Sequence, residues 1–555
     1  MKKFLCLVLV LAFSFTVLAG CGKGTENTGG GSSLPATSSD GPAASEKTNL
    51  YGWKVPDKTL EITYYCGQDN PDTVEKNTKI MHQYLLDNFN VKLNKIVYDT
   101  EMVEKLNLML ASNDYPEMIS NMSPTEAQKW VDLGKAQEMT PLIEQYGPNI
   151  TKELGSTLKR YANNDGKIYI LPIGSGLLPI ADYGAQVRLD WYKEIGSPTF
   201  STTDEYYEVL KKLVEKHPVN ASGEKVYALG TWKDDKMIEQ LGGIWGLKFG
   251  WKENDDGSLT HWSKTPEALE FVKWYNKFNL AGLLDPDSFT QKRDDWMTKC
   301  TNERYAGHFA VWWVTKDAGP LKWVKLKSDF NDDMRYVHYD VKGPGVAKSY
   351  LNPKNTMGWG RTIITDKCKQ PENVMKWFDF ELSTLGMMLL SLGVPNEEGS
   401  VWKIDEKGNW EWIKSETDKV LNGTFESTRY GELGGDGSYW NVVSQKFYDN
   451  GVECWLDQNH VNKWFKFKDD NLKDSIFDFS AYYAISLPSD SNETVINQQI
   501  KDISLNGFAN AVMAKSEEEC IARFNDMKEK IAKAGVDTLE KFYSENYNKN
   551  LEAWK

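Results

Sequence analysis

The residues of this chain best suited to chemistry are hydrogen-bonding side chains and aromatic rings set beside glycines. Asp69 and Asn70 close the run Cys66-Gly67-Gln68-Asp69-Asn70, and Asn121 opens Asn121-Met122-Ser123. Trp359 stands between Gly358 and Gly360 and is followed by Arg361, while Tyr439 and Trp440 follow Gly434-Gly435-Asp436-Gly437-Ser438. Trp312 and Trp313 are adjacent, so on an extended strand one ring would face a core and the other a cleft. Arg188 and Asp190 suit a ligand contact or, the stronger reading for Asp190, a structural ion pair. Asp69 and Asn70 suit either hydroxyl binding or capping of a following helix. Such groups bind rather than transform. Rings stack on the apolar faces of sugars while amides and carboxylates take hydroxyls.

Catalytic chemistry finds less support. A glycosidase needs two carboxylates at about 5 Å or 6.5–9.5 Å across a cleft. Asp69, Asp182, Asp190, Asp294, Asp295, Glu432 and Asp436 are candidates whose separations a sequence cannot test. The chain contains no GxSxG elbow, HExxH helix or P-loop. None of its six histidines is paired at metal spacing, and His308 and His338 read as structural. No cofactor, metal or catalytic residue is expected.

Composition narrows the class further. The chain holds 21 Trp, 26 Tyr and 22 Phe, more rings than cores readily absorb, which favours glycans as ligands. A formal charge of −14 argues against nucleic acid as the main partner. Lys2 and Lys3, the apolar run from Phe4 to Phe15 and Leu18-Ala19-Gly20-Cys21 describe a secretory signal peptide over residues 1–20. That run falls short of the roughly 20 apolar residues a membrane-spanning helix needs. Leu-Ala-Gly-Cys is similar to a bacterial lipobox, which implies acylation (palmitate) at Cys21. Residues 21–50 are rich in Gly, Ser, Thr and Pro and read as the lipidated cysteine and a flexible tether. The body keeps Cys66, Cys300, Cys368, Cys454 and Cys520, without metal or redox spacing and expected mostly as buried thiols.

The elements that must position these groups begin near Leu50. Thr59 to Tyr65 reads as a strand, residues 73–88 as a helix, Val91 to Tyr98 as a strand, Met102 to Ser112 as a helix and Glu117 to Ser120 as a strand. This is the βαβ pattern of a parallel sheet, with ligands at the carboxyl ends of its strands. An Asn164-Asp165-Gly166-Lys167 turn leads into Ile168 to Pro172. Helices are expected at 203–216, 266–278, 371–392 and 517–541, and a buried strand over 305–313.

Five segments in order resemble the family 1 extracellular solute-binding proteins of bacterial ABC importers, in particular the LplA-like lipoproteins. They are Lys105 to Ile119, Asn164 to Pro172, Val187 to Leu213, Phe271 to Phe289 and Phe524 to Lys549. The resemblance implies an α/β, two-lobed periplasmic-binding-protein-like fold of type II, with a hinge and an interlobe ligand cleft. The expected division is lobe I over 51–180, lobe II over 181–350, and 351–555 as crossing segments that complete both lobes. It also implies a monomer anchored outside the cell membrane that passes a carbohydrate, an oligosaccharide above all, to an ABC permease pair. A peptide or other non-sugar solute, or a glycan-degrading enzyme, are the alternatives. Some relatives carry an EF-hand-like calcium loop after the helix that here ends at His217. Pro218-Val219-Asn220-Ala221-Ser222-Gly223-Glu224 lacks oxygen ligands at alternating positions, so no metal is expected there.

Overall fold

The computed structural model describes residues 47–66, 79–96, 102–163, 165–174, 183–233, 236–354, 356–421, 424, 426–434, 470–488 and 490–555. Residues 1–46 with Cys21, the loop with Asp69 and Asn70, the segment with Tyr439 and Trp440, and Asp182, Asp436 and Cys454 lie outside the described residues.

The first lobe grows from β-formers alternating between two buried faces. Strand β1 (Leu60–Cys66) pairs in parallel with β2 (Val91–Ile96), from Leu60 opposite Val91, and with β3 (Met118–Met122), from Tyr64 opposite Met118. Between them run α1 (Lys79–Phe89) and α2 (Met102–Ser112), and α3 (Pro124–Asp132) follows β3. Ile62, Tyr64, Met118 and Ile364 enter one core cluster, whereas Tyr65, Ile119 and Ile363 enter another. A sheet covered on both faces is the usual setting for parallel strands. One strand runs antiparallel to the rest: β8 (Gly360–Ile364) lies between β3 and β4 (Leu171–Ile173), giving the order β2-β1-β3-β8-β4. The turn before β4 forms as expected, with Asn163 N–H donating to Lys167 C=O at 2.8 Å and Gly166 at φ 78°.

The second lobe is helix-rich. Strand β5 (Ala185–Arg188) is flanked by β6 (Gly307–His308) and β7 (Tyr336–Tyr339), both antiparallel to it. Helix α4 (Thr203–Lys216) starts at a capping box of Thr202 and Glu205 and buries Tyr206, Leu210 and Leu213 along one stripe. Helices α5 (Lys236–Leu241) and α6 (Pro266–Leu280) come before β6, and α7 (Trp312–Ala318) after it. The C-terminal helices α10 (Asn492–Val512), α11 (Glu517–Lys533) and α12 (Val536–Ala553) share the core of α6. Buried Asn276 on α6 donates to Val512 C=O and Ala514 C=O at 2.8 and 2.9 Å. It thereby satisfies carbonyls at the α10 terminus that the helix itself leaves open.

Three expectations are corrected. Residues 371–392 are two helices, α8 (Pro371–Glu381) and α9 (Thr384–Leu392). Ser383 Oγ donates to Phe380 C=O and accepts the Gly386 N–H, capping the second helix. The C-terminal stretch breaks in the same way at Gly535, where φ is 99°. The expected strand over 305–313 ends at His308, and Trp312 and Trp313 form the first turn of α7 after an extended Val311. A short apolar run does not by itself separate strand from buried helix. Cys66, Cys300, Cys368 and Cys520 are buried free thiols.

Candidate ligand-binding site

At one edge of the first sheet the carboxyl ends of β3 and β4 meet the start of β8. Asn121 there has φ 61°, a left-handed conformation asparagine tolerates better than most residues. A Cβ on Gly360 would stand 2.7 Å from Asn121 Oδ1, so the glycine makes room for the amide. The Trp359 N–H donates to Ile173 C=O at 2.9 Å, and its indole lies across Gly174, where a Cβ would come within 2.0 Å of the ring. Gly358, at φ 71°, has its own Cβ position 2.2 Å from Ile173 C=O. Glycines at 174, 358 and 360 thus let two backbones close under one ring. Trp359 remains 39% exposed, unusual for an indole otherwise clamped on one side.

Arg361 has a different task. It is buried, and its Nη1 donates to Met357, Gly358 and Gly360 carbonyls at 2.8, 3.2 and 3.0 Å. Its guanidinium lies 5.7 Å from the Tyr161 ring centre. Arg361 therefore braces the turn that presents Trp359, which corrects its reading as a ligand contact.

The second lobe contributes a cavity of about 280 Å³ whose walls include Tyr183, Thr231, Trp232, Gln240, Arg293 and Trp296. Trp296 Nε1 donates to Gly230 C=O at 2.9 Å, and the Trp232 ring packs 4.9 Å from Trp296. Tyr183 N–H donates to Asn352 Oδ1 at 2.9 Å, and Asn352 in turn donates to Ser475 Oγ at 2.7 Å. Asn352–Lys354 pairs in parallel with Ile476–Asp478, so the segments joining the two sheets hold one wall. Val311 and Val314, which bracket Trp312 and Trp313 on α7, also line the cavity. Aromatic faces with an amide, a hydroxyl and a guanidinium suit a polyhydroxylated ligand.

Arg188 is corrected. It is 1% exposed, paired with Asp190 at 2.8 Å and Glu303 at 2.7 Å. Its guanidinium centre lies 4.8 and 4.1 Å from the ring centres of Trp191 and Trp323. Burial alone would raise Glu303, but Arg188 and Lys327 together hold its carboxyl below the usual range. Asp190 goes the other way, because burial outweighs Arg188. This is an ion network within the lobe. His308 is buried edge-on to Trp296, and burial pushes it down to about 3.

After α4, Asn220 Oδ1 accepts the Ser222 and Glu224 N–H groups at 3.0 and 2.9 Å, so its oxygen closes a tight turn. Among the described residues no group of three or more His, Cys, Asp or Glu side chains could hold a metal ion.

Trp232, Tyr183, Gln240 and Arg293 did not stand out in the sequence. Trp232 carried the signal that marked Trp359: it follows Gly230-Thr231 at the end of the apolar run Val226 to Leu229. The other three come together only through packing.

Two lobes, each built on its own sheet and joined by crossing segments, have the architecture of the periplasmic-binding-protein-like fold. No family model matches the sequence. The chain is homologous to the fructooligosaccharide ABC transporter substrate-binding protein FusA of Streptococcus pneumoniae, 24% identical over 432 residues and 74% of each chain. It is also homologous to lipoprotein LipO of Bacillus subtilis, 25% identical over 207 residues, 36% of this chain and 40% of LipO. Among solved structures, alginate-binding protein AlgQ2 superposes with a TM-score of 0.67 at 18% identity, covering 91% of this chain and all of AlgQ2. FusA in complex with kestose superposes with 0.65 at 18% identity, covering 89% of this chain and all of FusA. At these identities the superpositions show the fold.

Proposed function

We propose that this protein is an extracellular receptor that binds an oligosaccharide between its lobes and delivers it to an ABC permease pair. The observation that carries this reading is Trp359, an indole held open on a glycine-built sheet edge. Homology to FusA over most of both chains supports it. The Trp359 ring is the stacking platform, Asn121 a hydroxyl partner, and Trp232, Gln240 and Arg293 the facing groups. Asp69, Asn70, Trp312, Trp313, Tyr439 and Trp440 complete the set from sequence. Residues 51–180 build the first part of the first lobe, 181–350 the second lobe, and 351–555 supplies crossing segments that complete both, with the C-terminal helices. After removal of residues 1–20, acyl chains on Cys21 tether a monomer to the membrane. The protein binds and does not cleave.

The test is a thermal-shift screen against fructo-oligosaccharides, other glycans and peptides. Ligand at 100 times its Kd adds about 2.7 kcal/mol to stability, a clear upward shift. Stabilisation by peptides with none by any glycan, or release of shorter sugars during incubation, would overturn the reading.

A further inference from the structure

A second cavity, of about 230 Å³, lies where the edge of the first sheet meets the second lobe. Its first-lobe wall is Thr125, in the first turn of α3, four residues after Asn121. Facing it is a polar stripe of α10: Asn497, Lys501 and Ser504. Their spacing of four and three places them on one helix face. The stripe grades from exposed Lys501 and half-buried Asn497 to buried Ser504. Ser504 is 6% exposed, and its Oγ is buried with no hydrogen-bond partner. An unmet buried hydroxyl costs about 1–3 kcal/mol, and this one borders a space several times the roughly 30 Å³ share of one water.

The other wall is aromatic and rigid. Tyr482 and Tyr543 stack at 5.4 Å, Trp251 lies 5.0 Å from Tyr543, and Trp251 Nε1 donates to the Tyr482 hydroxyl at 2.9 Å. Lys501 and Glu239 bring opposite charges to the lining, so the cavity favours a neutral occupant over a phosphate or an acidic sugar. Helix α5 separates the two cavities. Ile238 and Glu239 line this one, Gln240 and Leu241 the 280 Å³ cavity. Residues two positions apart on a helix point to nearly opposite sides.

We propose that this cavity is an outer subsite that takes one further neutral sugar ring of the same oligosaccharide, so that affinity depends on chain length. The inference rests on the sugar-receptor reading above. The ring stacks on the Tyr482–Tyr543 pair, its hydroxyls meet Ser504 and Asn497, and Thr125 closes over it from the first lobe.

The experiment is calorimetric titration of the full soluble body with fructo-oligosaccharides and malto-oligosaccharides of two to five units. The proteins compared are wild type, Ser504→Phe, which fills the cavity, and Asn497→Leu, at its half-buried rim, which tests the subsite if the first variant does not fold. Wild type is expected to gain about tenfold in affinity, or 1.4 kcal/mol, at the length that reaches the cavity. Both variants lose that gain and keep the affinity for the shortest binding member within about twofold. Binding without length dependence, or an equal loss at every length, overturns the subsite alone. A wild type that binds neither series, nor any other glycan of the thermal-shift screen, overturns the sugar-receptor reading and the subsite with it.

Discussion

The two lobes place aromatic rings in opposite ways. At the edge of the first sheet Trp359 is held by backbone: Gly174 under its ring, Ile173 on its N–H and the Arg361 brace behind the turn. In the second lobe Trp191, Trp296 and Trp323 pack their ring faces and edges against buried Arg188 and His308, with the Trp296 and Trp323 N–H groups anchored on the Gly230 and Thr301 carbonyls. A ring supported by glycines can stay exposed, because no side chain must cover it. A ring that covers a buried charge cannot, since exposing it would leave the ion pair poorly packed. The first arrangement suits a ligand, the second a rigid wall.

Three measurements probe that contrast. Arg188→Ala removes the centre of the buried network and leaves Asp190 and Glu303 with uncompensated charge. Breaking a buried pair costs about 3–5 kcal/mol, read as a large fall in the urea midpoint. A loss below about 1 kcal/mol would mean that the network is solvated and the contrast false.

Acid should then separate the lobes further. His308 is held at about 3 when folded, against about 6.5 unfolded. Below pH 6.5 the unfolded state binds the extra proton, so this contribution is complete above 6.5 and shrinks toward 3 as pH falls. The slope is about 1.4 kcal/mol per pH unit for one histidine. His261, also at about 3, adds a like slope, whereas Asp190, Asp340 and Asp379, raised mainly by burial, oppose it. Comparison with His308→Gln isolates the one group: the stability gap should change by about that slope between pH 6.5 and 4. Parallel curves would place His308 in contact with solvent.

Trp359→Ala should do the reverse of Arg188→Ala. Stability changes by less than about 1 kcal/mol, while oligosaccharide affinity drops about 30-fold, a loss of about 2 kcal/mol. Unchanged affinity would remove Trp359 from the site.

Legibility follows the range of the interaction involved. Helices α2 and α4 were readable to the residue, because apolar spacing acts within one or two turns. Trp359 was readable as a special ring from its two glycines. The Arg188–Asp190 pair, two positions apart, was readable as an ion pair, but the Arg188 network was not, because its other partner Glu303 stands 115 positions away. The breaks at Ser383 and Gly535 were missed for a related reason: apolar periodicity continued across them while local capping changed the chain direction.

By itself the sequence determined the order of β1, β2 and β3 with their helices, and the turn that carries Trp359. These depend on side-chain periodicity and on φ angles that only certain residues adopt easily. The tertiary structure alone decided that β8 slots between β3 and β4, that Arg188 and Arg361 face inward, and that Trp232, Gln240 and Arg293 share a cavity. Those outcomes rest on burying surfaces drawn from segments tens to hundreds of residues apart, and no local pattern encodes which distant surface will be met.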